Sequence, residues 1–195
     1  MPICECGKDP FVIQTNNRKL YDSLPQNHVL KTLIEEHFNI RKFVSEMEEY
    51  VTELMMLKEL PESTPLMTEL YRITDHLLRT ERHHIREEVA IMLTLDKKMV
   101  QTDDLNIRND HDELRLLKRR FALLVRGLYN TPLVNVRDEI QSLSGQIAEK
   151  IRYHMNAEDL VLYPLALKEI SEDEWATLLK ECDKIGYICF TPGKD

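Results

Sequence analysis

The chain has 195 residues, 43 % apolar and 31 % charged, with five glycines and a formal net charge of −8. This length suits one compact domain with a packed core, and scarce glycine beside abundant Leu, Glu and Lys points to long helices rather than a turn-rich β protein. The negative charge opposes phosphate backbones and no Lys/Arg stripe with aromatics offsets it, while no apolar run nears the ~20 residues of a membrane span, so neither nucleic acid nor a membrane is expected as a partner.

Cys4, Cys6, Cys182 and Cys189 sit at the two ends of the chain without the regular spacing of a disulfide framework, and no export signal is visible. The expected location is therefore the cytoplasm. Cys4-Glu5-Cys6 reads as free thiols rather than half of a metal site.

Residues 1–24 mix Gly7, Pro10, Asn16 and Asn17 with little periodicity and read as an irregular lead-in. A first helix is expected from Pro25, carrying Leu30, Leu33, Ile34, His37, Ile40, Val44, Met47 and Val51 at three- and four-residue steps, and Pro61 and Pro65 bracket its end. A second is expected from Leu66 to Met99, a third from Leu105 to Tyr129, and a fourth from Leu133 to Ile170 with Ile147, Ile151, His154, Val161 and Leu165 facing inward. Ser171 followed by Glu174 is a capping box that opens a short fifth helix ending at Gly186. Short turns between long helices force antiparallel neighbours, so the expected fold is an all-α, up-down-up-down four-helix bundle over 25–170, with a short helix and tail over 171–195.

Each apolar stripe is broken near its middle by an ionisable residue, where an unpaired charge would cost several kcal/mol to desolvate. His37, His111 and His154 stand in this way on the first, third and fourth helices. On the second and fourth a carboxylate follows one turn after a histidine, His84 with Glu88 and His154 with Glu158. Residues four apart share a helix face, so each pair presents an imidazole and a carboxylate to one ion. Two carboxylates bridging two ions, with histidines completing each set, form a mixed N/O site of the kind that suits iron or manganese. His83 and Glu87 have the same spacing one residue earlier; their stripe is the more polar, which favours His84 and Glu88 while leaving both registers open. His28 and His76 read as boundary residues, and Glu81 as either an edge charge or an acceptor orienting an imidazole.

At these residues the sequence resembles the hemerythrin-like cation-binding family. The resemblance rests on Glu36-His37, the His-His-x-x-Glu-Glu run from His83 to Glu88, His111-Asp112-Glu113-Leu114-Arg115, and His154-x3-Glu158-Asp159 leading to Leu162-Tyr163-Pro164; it covers about residues 26 to 190. The last segment is similar to an uncharacterised prokaryotic subgroup. Arg115 stands where oxygen carriers of the family have a second histidine on the third helix, so the pattern is closer to the four-histidine, two-glutamate set of iron-centre repair proteins.

The resemblance implies two iron ions, with manganese or zinc as substitutes, held by His37, His84, Glu88, His111, His154 and Glu158. It implies a protein that handles or senses oxygen, nitric oxide or peroxide, or supplies iron for repair, and not a conventional enzyme. The competing expectation is a structural or regulatory metal-binding bundle without redox chemistry. A homodimer or a protein partner stays open under either.

Overall fold

A computed structural model describes residues 15–60, 64–102 and 105–188, which are helical throughout apart from short turns. The expected lead-in over 1–24 lies outside the described residues up to 14, and its remainder is not irregular: Thr15–Ser23 forms α1. Its apolar residues are too few for the periodicity to show in the sequence, but Tyr21 reaches Glu35 of the next helix with a 2.7 Å hydrogen bond.

The four rods of the bundle follow. The first is α2, Val29–Met56, which starts four residues later than expected because Pro25 to His28 form a turn and the His28 ring accepts from the Leu30 amide at 3.1 Å. The second comprises α3 (Pro65–Arg79), α4 (Glu81–Arg86), a π-helical turn (Glu87–Met92) and α5 (Leu93–Lys97). The third is α6, Ile107–Gly127. The fourth comprises α7 (Arg137–Ala157), a second π-helical turn (Glu158–Leu162) and α8 (Tyr163–Glu169). α9, Glu172–Ile185, opens on the expected capping box and ends at Gly186, whose φ of +84° only glycine adopts without strain.

Both α2 and α6 pack against α3 and α7, closing an antiparallel ring, while α9 lies on α2 and α4. Among the described residues no helix is long and apolar enough to cross a membrane.

The core is divided in two. One apolar cluster centres on Phe43, Met47, Leu70, Ile73, Phe121 and Ile147, the other on Leu30, Leu33, Ile91, Leu95, Leu162 and Trp175. Along every rod the two clusters are separated by buried polar residues: Glu36 and His37, His83 to Glu87, Asp110 and His111, and His154 to Asp159. The bundle therefore has a polar waist at one level.

Departures from ideal helix geometry set the phase of the second and fourth rods. At Thr80 the helix tightens, the His83 amide bonding three residues back to the Thr80 carbonyl at 3.0 Å, and this swings His83 to the inward position that an unbroken 3.6-residue repeat gives to His84. The π turn then adds a residue, and Ile91 and Leu95 return to the core as expected. On the fourth rod the π turn shifts the phase uncorrected: Val161 is 45 % exposed and Leu162, Ala166 and Ile170 face inward in place of Val161 and Leu165.

Candidate metal centre

Four histidines aim Nε2 at the bundle axis. His37 Nε2 is 3.0 Å from His83 Nε2 and 3.2 Å from Glu158 Oε2, and His83 Nε2 is 3.4 Å from Glu87 Oε2. On the opposite side His111 Nε2 lies 3.4 Å from both Glu87 Oε2 and Glu158 Oε1, and His154 Nε2 lies 2.8 Å from Glu158 Oε1. Two buried quartets result, His37/His83/Glu87/Glu158 and Glu87/His111/His154/Glu158, which share both glutamates.

The spacing fits metal ions. Ligands bonded at about 2.0–2.2 Å lie about 3 Å apart when they are neighbours on one ion. Glu87 Oε2, Glu158 Oε2 and His154 Nε2 are moreover buried without a hydrogen-bond partner, a deficit of ~1–3 kcal/mol each that coordination would remove.

Each of the four rings has a carboxylate behind it, hydrogen-bonded to Nδ1 at His37, His83 and His111 and 3.7 Å away at His154, and each carboxylate is held by a cation. His37 Nδ1 donates to Asp159 Oδ1 at 2.7 Å, and Asp159 accepts from Arg41 at 2.9 Å. His83 Nδ1 donates to Glu36 Oε2 at 2.9 Å, and Glu36 pairs closely with Arg86. His111 Nδ1 donates to Glu88 Oε1 at 2.7 Å, and Glu88 accepts from Arg115 at 2.6 Å. Asp110 Oδ2 faces His154 Nδ1 at 3.7 Å and Asp110 Oδ1 accepts from Lys150 at 2.9 Å. Such backing presents Nε2 as the lone-pair donor and makes it a better ligand.

The charges of the metal-free site follow from these pairs. Burial disfavours a cation at His37, but Asp159 and Glu158 outweigh it and raise its pKa to about 10. His111 and His154 are likewise raised by their carboxylates against the effect of burial. Burial opposes ionisation of Glu158 as well, and the surrounding histidines hold it well below the usual carboxylate range. At His37, His111 and His154 protons thus occupy nitrogens that an ion would take, and binding must release them.

Of the residues singled out in the sequence, His37, His111, His154 and Glu158 converge at the waist. His84 is buried beside them and stacks on His111 at 4.2 Å with rings 6° from parallel, an arrangement in which the two rings cannot bind one ion in plane. Its Nδ1 has no hydrogen-bond partner, with Glu81 Oε2 4.0 Å away, and burial with Lys118 nearby keeps it neutral. Glu88 is displaced. The tightening at Thr80 gives the inward place to Glu87, leaving Glu88 half-buried behind His111 instead of between the quartets. His83 and Glu87, the register disfavoured for its polar stripe, are the pair brought to the axis.

Glu81 accepts from Arg115 at 2.6 Å at the rim. His28 packs at a tilt against Trp175 and His76 stacks on Phe43, both away from the waist. The backing residues Glu36, Asp110 and Asp159 were not anticipated as a group; their one signal is that each adjoins a residue of the centre in sequence.

A helical bundle with a buried histidine–glutamate cluster across all four rods defines a metal-binding bundle protein. A family model, hemerythrin HHE cation binding domain, matches residues 28–166, and the chain belongs to that family. Among proteins with curated descriptions none matches significantly. The matched span reaches into all four rods and takes in every residue of both quartets.

Proposed function

We propose that this chain is a cytoplasmic non-haem di-iron protein that handles or senses oxygen, nitric oxide or peroxide, or supplies iron to damaged centres. The observation that carries the proposal is the pair of quartets sharing Glu87 and Glu158, which would hold two ions with two imidazoles each. His37 and His83 would hold one ion and His111 and His154 the other, with His84 stacked on the His111 ring. Glu158 spans the pair with Oε2 toward His37 and Oε1 toward His111 and His154. Bound iron would supply reversible electron transfer and open positions for small ligands. The chain's own part is to exclude bulk water through the two apolar clusters, to fix the rings through the backing carboxylates, and to offset the anionic core with Arg41, Arg86, Arg115 and Lys150. The buried free thiol of Cys182 accords with a reducing compartment; Cys4, Cys6 and Cys189 lie outside the described residues.

A second reading, a regulatory bundle without redox chemistry, is favoured by one contact. The Ile188 amide donates at 3.1 Å to Glu36, the carboxylate that orients His83, so the residues after α9 touch the frame of the centre. Metal analysis and absorption spectra separate the two. Iron-loaded protein is expected to carry two ions per chain and to change its spectrum on reduction and on exposure to oxygen or nitric oxide. A two-iron sample inert to all three would leave the regulatory reading; a sample without bound metal would sink both.

A further inference from the structure

The two halves of the centre are not equivalent: besides His84, which stacks on His111, they differ in one further residue outside both quartets. Five residues after Glu158, at the end of the π turn, stands Tyr163; five residues after Glu87, at the end of the other, stands Met92. Both are buried. Met92 has no proton to donate. The Tyr163 hydroxyl donates to Glu87 Oε1 at 2.6 Å and lies 3.1 Å from His37 Nε2, with its ring stacked on that of His37.

Glu87 is correspondingly lopsided. Its Oε1 is taken by Tyr163, while its Oε2 has no hydrogen bond and faces His83 Nε2 and His111 Nε2 at 3.4 Å each. Glu158 instead divides its oxygens between the two sides. A short hydrogen bond to a carboxylate is strong in a dry interior, and the buried phenol would lose its acceptor if Oε1 swung away.

We propose that Tyr163 is a positioning residue that clamps Oε1 of Glu87, so that this carboxylate joins the two ions through Oε2 alone. The inference rests on the two-ion reading. Because the clamped oxygen cannot chelate, it would leave an ion at His37 and His83 a position free for a small ligand.

Cobalt(II) is a suitable probe, because its visible absorption weakens as its coordination number rises. Wild type and Tyr163→Phe are loaded, the bound ions counted and the spectra compared. Two ions in each protein are expected, with loss of visible absorbance in Tyr163→Phe as Oε1 is freed to coordinate. Superimposable spectra at two ions each overturn the proposal. Loss of an ion from the variant, or a phenolate charge-transfer band in the iron(III) wild type, overturns it in favour of direct ligation. Fewer than two ions in the wild type overturns the two-ion reading itself. A cycle of Tyr163→Phe and Glu87→Gln on metal-free protein tests the clamp without metal: unfolding midpoints that shift less than additively are expected, and full additivity refutes the contact.

Discussion

Replacing Glu36 separates what the frame of the centre contributes to stability from what it contributes to metal binding. Glu36 is fully buried and holds three groups: His83 Nδ1 at 2.9 Å, the Ile188 amide at 3.1 Å and the Arg86 guanidinium. Burial alone would raise its pKa, and Arg86 with His83 brings it below the ordinary value. In Glu36→Ala the guanidinium is left buried without a counter-ion, a loss of about 3–5 kcal/mol. The unpartnered Ile188 amide adds about 1 kcal/mol or more. At about 2–4 °C per kcal/mol for a chain of this size, the metal-free protein should melt about 10 °C lower or more. His83 also loses its orientation, which lowers metal affinity by about 10–100-fold. In Glu36→Leu/Arg86→Met the uncompensated charge is gone, so most of the stability should return while the affinity stays low. Thermal melts of chelator-treated protein and competition against a chromophoric chelator read the two quantities independently. Affinity restored together with stability in the double variant would refute a role for Glu36 in orienting His83.

Glu87→Ala is expected to lower the metal-to-protein ratio, whereas Glu88→Ala should keep two ions and weaken them about tenfold or more, because Glu88 only backs His111; equal losses by metal analysis would contradict this assignment. In metal-free protein the pairing of Asp159 with His37, whose pKa rises from 6.5 to about 10, stabilises fully below pH 6.5 and is lost as the pH climbs through 10. The stability gap between wild type and Asp159→Asn in urea should therefore narrow over that range, and a constant gap would count against the pair. Lys118 is 3 % exposed, and burial lowers its pKa from 10.5 to about 8, so its charge weakens the fold at every pH below about 8. Lys118→Met should raise stability by on the order of 3 kcal/mol at pH 7, read from denaturant midpoints; a drop would mean that its 2.7 Å bond to Thr80 matters more than its desolvation.

The bundle was legible because long apolar stripes at helical spacing, Pro61, Pro65 and the Ser171 capping box mark where rods begin and end. His37, His111, His154 and Glu158 stood out because nothing else in their stripes is ionisable. The second rod was harder to read, since periodicity assumes a constant 3.6 residues per turn and the chain departs from it twice within about ten residues. A tight turn at Thr80 and a wide one from Glu87 to Met92 nearly cancel, so the apolar residues on either side keep the expected phase while the inward histidine–glutamate pair between them slips by one. The same wide turn on the fourth rod has no compensating tight one, and there the error appears downstream, at Val161 and Leu165. The backing carboxylates escaped notice for another reason. Asp159 serves a ring on a different rod, and a partner supplied across the bundle leaves no trace in local spacing.

The polar waist has a consequence for how the chain comes apart. Each apolar cluster is a small core of its own, and in the absence of metal the two are joined by a layer in which unpartnered oxygens and nitrogens favour admitting water. Ions held between all four rods would tie the halves into one cooperative unit. Metal-free protein should then exchange its amide hydrogens in two blocks, one for each cluster, and loading the centre should merge them into a single, slower unfolding unit.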